Sequence, residues 1–324
     1  MNRIKPATYI LFSLLFIIAL VILCMLIGPV RIAVDEIFLQ KYSDIMRLRL
    51  FRVILAIAAG AGLSLSGVIL QGVLRNPLSE PYVLGVSSGS GLGAVIGLLF
   101  FSHVAAASHC LAFLGGILTI IIVYNIARSG NRLSTENMII SGILVSALFS
   151  SLLMFFVSIS SSAKVHSVMW WLLGNLQVYK GIHVGIVSSA VVMGLLLAAL
   201  FAKELNALSL GEEDAMHLGV DINKVKKLLL VISALVTSIV VSMCGIIGFV
   251  GLMVPHITRR LVGPDHRALI PASVLTGAAF LLVCDLFSRT VMAPAEIPVG
   301  VVTAFIGVPF FMFILRKSRK AYFN

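Results

Sequence analysis

Charge is what this chain has least of. Only 11% of its 324 residues are Asp, Glu, Lys or Arg, and thirteen are acids. Together with 60% hydrophobic residues and a mean hydropathy of +1.10, this excludes an ordinary water-soluble domain, where about 25% of residues are charged. No Gly-Lys pair occurs. There is therefore no G-x-x-x-x-G-K-[ST] phosphate loop, and any ATP used is bound by another polypeptide. The seven histidines (His103, His109, His166, His183, His217, His256, His266) show no H-x-x-x-H or H-x-x-E-H spacing. The four cysteines, Cys24, Cys110, Cys244 and Cys284, sit in or at the ends of apolar runs. Such placement supplies no metal-ligand set, and the cysteines read as reduced, small, lipid- or core-facing residues. No basic run is interleaved with aromatics, so the net charge of +11 does not point to nucleic acid. Gly85-Val86-Ser87-Ser88-Gly89 matches a hydrolase elbow, but no strand precedes it, and small residues in membrane helices produce such matches. No catalytic constellation is found, so the chain is expected not to be an enzyme.

What the chain does have is length of apolar run. A helix crosses a bilayer with about 20 apolar residues. One run follows Met1-Asn2-Arg3-Ile4-Lys5 and ends at Ile27; others lie at about 53–74, 83–101, 110–127, 138–159, 182–202, 228–244, 246–262, 268–288 and 297–315. The first is too long for a signal peptide and lacks a small-x-small cleavage site; Gly28-Pro29 stops it. The expectation is an all-α polytopic membrane protein of about ten crossings, one transmembrane domain over 1–324. Ten crossings partition the cations sixteen against eight. The richer side holds both termini and the central loop and is therefore cytoplasmic. The poorer side holds Arg31, Lys41, Arg47, Arg49, Arg52, Lys164, Lys180 and Arg289.

Three features stand out from the runs. The mid-chain stretch Leu205–Lys227, LNALSLGEEDAMHLGVDINKVKK, gathers Glu212, Glu213 and Asp214 and is punctuated by Gly211 and Gly219. It reads as two short helices folded back, a docking surface for a soluble partner on the cytoplasmic side; a merely solvated connector is the alternative. Cys244–Pro255 carries Gly245, Gly248, Gly251 and Pro255 within one span, and a helix so interrupted frees backbone groups that neighbouring protein must satisfy. Gly85–Gly93 makes a similar case for close packing of the third helix. Asp285 and Arg289 share one helix face, a structural pair by default or a proton relay. Trp170 and Trp171 fit an interfacial belt or, less well, substrate stacking.

The motifs, in their order, resemble one family, the permease subunits of ABC importers for cobalamin, haem and iron-siderophores. They are Arg49-Leu50-Phe51-Arg52; Gly67 to Gly72 running into Arg75-Asn76-Pro77-Leu78 and Pro81 to Gly89; Leu210-Gly211-Glu212 with His217-Leu218-Gly219-Val220; Gly245 to Arg260; Asp265-His266-Arg267; and Glu296 to Thr303. The resemblance covers nearly the whole chain. It implies a cobalamin-permease-like bundle that dimerises with itself or a close paralogue in the cytoplasmic (inner) membrane. Two cytoplasmic ATP-binding subunits would carry ATP and Mg, and an external or periplasmic binding protein would deliver substrate. No cofactor or metal is implied for this chain. The resemblance assigns ATPase coupling to Leu210, Gly211, Glu212, Glu213, His217, Leu218 and Gly219 in a loop of about 204–225. It assigns binding-protein docking to Arg49, Arg52 and Arg289, and a cytoplasmic gate to Leu133, Ser134 and Thr135. The family's first arginine pair flanks a proline; Phe51 stands there in this chain. An iron chelate is the expected cargo and cobalamin the alternative. An ion-driven secondary transporter, the reading from another class, has only Asp285 in its favour.

Overall fold

A computed structural model describes residues 4–30, 40–104, 106–129, 132–178 and 180–322. The elements in chain order are α1 (Pro6–Leu26), α2 (Ser43–Val73), α3 (Val86–Phe100), α4 (Ala107–Ala127), the two-residue strands β1 (Arg128–Ser129) and β2 (Arg132–Leu133), α5 (Thr135–Ser158), α6 (Ser162–Leu172), α7 (Gly181–Leu200), α8 (Ala202–Leu210), α9 (Glu212–His217), α10 (Ile222–Cys244), α11 (Val250–Val262), α12 (His266–Thr290) and α13 (Val299–Tyr322). β1 and β2 pair antiparallel, Arg128 opposite Leu133.

Seven of the described helices are long and apolar enough to cross a membrane: α1, α2, α4, α5, α7, α10 and α12. The other three expected crossings correspond to the short helices α3 and α11 and to α13, whose apolar part runs Val299–Ile314. α2 is the central post, because 89% of its most apolar window is buried, against 22% for α1. It packs against α1, α7, α8, α10, α11 and α12. Small residues make that possible. Gly60 of α2 lies against the backbone of Gly277 in α12, and Gly67 against that of Gly251 in α11, where any Cβ would collide. On α3, Gly89, Gly93 and Gly97 recur every fourth residue and face Gly115, Leu111 and Ser108 of α4. This small-xxx-small stripe lets two backbones touch, in a solvent that gives apolar side chains no reason to associate.

Two differences from the sequence expectation concern where helices begin. With Phe51 where a proline would break the helix, α2 starts at Ser43 and runs unbroken past Arg47, Arg49 and Arg52. The run expected at 246–262 is only half helix. α10 stops at Cys244, Gly245 turns with φ +69°, and the chain is non-helical until α11 begins at Val250, level with Leu63 and Gly67 of α2. The freed backbone is met by protein, as its depth requires. The Tyr82 hydroxyl donates to Ile247 O (2.7 Å) and accepts from Ile247 N (3.0 Å). Pro255, lacking an N–H, leaves the carbonyl of Gly251 without its intrahelical donor. Gln71 Nε2 donates to it and to Leu252 O, at 3.3 Å each, while Arg259 donates to Gln71 Oε1 at 3.2 Å.

Candidate functional site

The bundle has two ends. One carries α8, α9 and the starts of α10 and α12; the other carries the end of α1 and the starts of α2 and α13. At the first, Gly211 (φ 149°) separates α8 from α9 and Gly219 (φ +81°) ends the excursion, the two folded-back short helices that the glycine spacing implied. Ala202, Leu205, Ala207 and Leu208 turn inward. Leu210, Met216 and Leu218 are 67%, 54% and 65% exposed, beside exposed Glu213, Asp214 and His217. Three exposed aliphatics thus stand among acids on this turn.

Two polar clips hold this knob to the bundle, and of the residues that make them Lys226 and Asn206 were not singled out in the sequence. Lys226 of α10 is 2% exposed, and its ammonium donates to Glu212 Oε1 at 2.6 Å. Glu212 is thus turned toward α10, whereas Glu213 is exposed. The second clip joins α8 to the start of α12. The Asn206 side chain accepts from the His266 amide and ring Nδ1, both at 2.8 Å, and donates to Asp265 Oδ1 at 2.7 Å. Asp265 also caps α12 through the Arg267 amide (3.0 Å). The bonds from Asn206 and Arg267 hold the Asp265 carboxyl below the usual carboxylate range.

At the opposite end an ionic network lies largely buried within the chain. Arg52 donates from Nε to Asp285 Oδ1 (2.7 Å) and from Nη1 to both oxygens of Glu296 (2.9 Å each). Gln177 Nε2 donates to Glu296 Oε2 at 3.0 Å. Arg289 lies 3.3 Å from Asp285 Oδ2, an ion pair without hydrogen-bond geometry, and donates from Nη2 to Cys24 O at 2.8 Å. Arg49 donates to the carbonyls of Met25, Leu26 and Val30. Two of these belong to the last turn of α1, whose carbonyls have no intrahelical donor and favour a cation. A cavity of about 220 Å³ sits among Arg49, Arg52, Gln177, Arg289 and Glu296.

The three arginines expected to dock a binding protein are turned inward in this structure. Arg49, Arg52 and Arg289 are 6%, 12% and 1% exposed, and their charge is taken up by carboxylates and helix-end carbonyls of the same chain. In this conformation they offer no free guanidinium to a soluble protein. The expected Asp285 and Arg289 pair exists, but the shorter contact of Asp285 is to Arg52. An exposed cation nearby is Arg47, one turn before Phe51 and stacked over its ring at 5.3 Å.

The residues expected to form a gate start α5 at the α8 end. Leu133 is buried at 8% exposure, Ser134 caps the helix by accepting from Asn137 N (3.3 Å), and Thr135 is its first residue. A separate apolar hollow of about 600 Å³ is walled by Leu172, Leu173, Ile246, Gly248 and Phe249 and, from α13, Gly300, Val301, Ala304, Phe305, Val308 and Pro309. Phe305 beside it is 77% exposed. Trp170 and Trp171 lie on α6, an 11-residue helix. Among the described residues no three His, Cys, Asp or Glu side chains come together to hold a metal.

A bundle of buried small-residue crossings, a broken α10–α11 pair and a protruding two-helix knob define a polytopic membrane permease. The chain belongs to the FecCD transport family, which matches residues 15–317. It is 42% identical, over 83% of its length and 72% of the relative's, to a cobalamin import system permease protein of Halobacterium salinarum. It is 34% identical to the hemin transport system permease protein of Yersinia pestis, over 98% of each chain. To the Fe(3+) dicitrate transport system permease protein FecD of Escherichia coli it is 36% identical, over 86% of this chain and 87% of that one. A solved inward-facing conformation of a metal-chelate type ABC transporter superposes with a TM-score of 0.89 at 31% identity, covering 96% of this chain and 99% of that one.

Proposed function

We propose that this chain is the membrane-spanning half of an ATP-driven, binding-protein-dependent importer that carries an iron chelate across the cytoplasmic membrane. The observation that carries the reading is the knob at α8–α9. It has exposed aliphatics and acids at its tip and polar clips at its base, as a surface pushed by a soluble ATP-binding subunit requires. Two copies of the chain, two ATP-binding subunits that carry ATP and Mg, and one external binding protein make the assembly. The knob end, rich in Lys and Arg, faces the cytoplasm together with both termini.

Cargo runs between the two copies, along the apolar hollow of α13 and the broken segment before α11, with Leu133, Ser134 and Thr135 closing the cytoplasmic side. Walls without charge hold the chelate weakly, so that it leaves as readily as it enters, and selectivity rests with the binding protein. That protein docks on the α2 end. Burial of Arg49, Arg52 and Arg289 gives the steering charge there to exposed cations such as Arg47, while the buried three hold the rim in shape.

The iron chelate is favoured by the haem and ferric dicitrate relatives. Cobalamin is the second reading, favoured by the 42% identical relative. The test is uptake into vesicles holding the chain with its ATP-binding subunits and binding protein. Ferric citrate, ferric siderophores, haem and cobalamin are offered in turn. ATP-dependent uptake of one iron chelate is expected; accumulation by the chain alone, driven by a proton or sodium gradient, overturns the proposal.

A further inference from the structure

The contacts of Asn206 make it more than a surface residue of α8. It lies one turn before the exposed tip at Leu210, and its carboxamide is used at both ends. Asp265 can only accept, so the atom that faces it at 2.7 Å is the amide nitrogen, and the oxygen is left for His266. That oxygen receives both the backbone N–H and the ring Nδ1 of His266, at 2.8 Å each. The ring proton therefore sits on Nδ1. Nε2 is buried without a partner and faces Gly72, near the end of α2, with Leu205 of α8 against the same glycine. His266 itself is 2% exposed.

One short helix is thus keyed to the ends of two long ones. α2 and α12 touch at mid-length through Gly60 and Gly277 and meet again at the far end through Arg52 and Asp285. The inward residues of α8, Ala202, Leu205, Ala207 and Leu208, supply adhesion without direction, because apolar burial does not specify an angle. The hydrogen bonds at Asn206 do specify one, and they resist pulling as well as pushing.

We propose that Asn206 and His266 are the positioning pair that turns displacement of α8 into movement of α2 and α12. Without the clasp, α8 slips on its apolar face and the stroke is lost. This rests on the reading of the knob as the seat of an ATP-binding subunit. Neither residue touches cargo or nucleotide; both act through α2 and α12.

The experiment uses the full importer in liposomes, with ATP hydrolysis and uptake of radiolabelled ferric citrate, or of whichever panel chelate the wild type carries, read in the same vesicles. Asn206→Ala and His266→Ala are expected to keep their ATP-binding subunits and to hydrolyse ATP, while uptake per ATP falls about tenfold. His266→Gln, whose amide can donate in place of Nδ1, is expected to restore most of it. Wild-type uptake per ATP in Asn206→Ala overturns the proposal, as does a loss fully explained by departure of the ATP-binding subunits. If Asn206→Ala does not fold, the two His266 variants decide: equal defects overturn the clasp, and rescue by Gln supports it. Wild-type vesicles that hydrolyse ATP without any uptake overturn the importer reading itself, a result distinct from every variant outcome.

Discussion

Arg52 and Asp285 are 233 residues apart in sequence, and their side chains meet at 2.7 Å. Asp285 is fully buried, with Arg289 on its other oxygen, so one carboxylate serves two guanidinium groups. Asp285→Ala leaves both without that counter-charge in the interior and is expected to lower stability by about 3–5 kcal/mol. The measurement is thermal unfolding in detergent. Arg52→Met, which leaves Asp285 paired with Arg289, should lose less than Asp285→Ala. Arg289→Glu belongs with this group and impairs folding, whereas Arg47→Glu, on an exposed cation, leaves unfolding unchanged and weakens capture of the binding protein at low salt.

Lys226 and Glu212 make the same argument at the other end. Glu212→Gln strands a buried ammonium and is expected to destabilise the fold by about 1–3 kcal/mol. Glu213→Gln, whose side chain is exposed, should not. Lys226→Met in the Glu212→Gln background should recover stability, which separates a structural carboxylate from one that acts on a partner.

Leu210 and Leu218 are expected to behave as contact residues. Leu210→Asp with Leu218→Asp leaves unfolding within about 0.5 kcal/mol of the wild type, as surface changes do. The same pair abolishes co-purification with the ATP-binding subunits. Retained binding would remove the knob from the docking surface.

Gln71 meets a need created by Pro255. Gln71→Leu keeps the bulk and removes the donor to Gly251 O, and is expected to cost about 1–3 kcal/mol. Pro255→Ala restores the intrahelical donor and should reduce the cost of Gln71→Leu, leaving the part that comes from Arg259 losing its acceptor. Full additivity of the two changes, measured in a double-mutant cycle, would contradict the pairing.

Asp265 sets the acid limit of the clasp. Its carboxyl is held below the usual range. Its contribution is therefore fully present above the ordinary carboxylate pKa of about 3.9 and is lost as pH falls through the lower folded-state value. Uptake per ATP should show no loss traceable to Asp265 between pH 6 and 8.

Much of the architecture was legible in residues alone. A run long enough to cross a bilayer is visible as such, and solvent leaves it few choices but helix. Gly211 and Gly219 announced the knob because a chain that reverses twice within so few residues needs punctuation. Gly85 to Gly93 announced close packing because small residues allow it. The sites were less legible. Arg49, Arg52 and Arg289 look alike in sequence whether they reach outward or inward, and nothing local to Lys226, Asn206 or Gln177 marks what each meets. Gln71 could be linked to Pro255 only once α2 and α11 were known to touch.

The sequence by itself determined that this is a many-helix membrane protein with a knob between its runs, because hydropathy and glycine placement act over neighbouring residues; its motifs, through resemblance, added the permease family. The tertiary structure decided which charges are free and which are consumed. A charge at membrane depth must find its counter-charge or its carbonyl wherever the fold brings one near, and for Arg52 that partner lay at the far end of the chain.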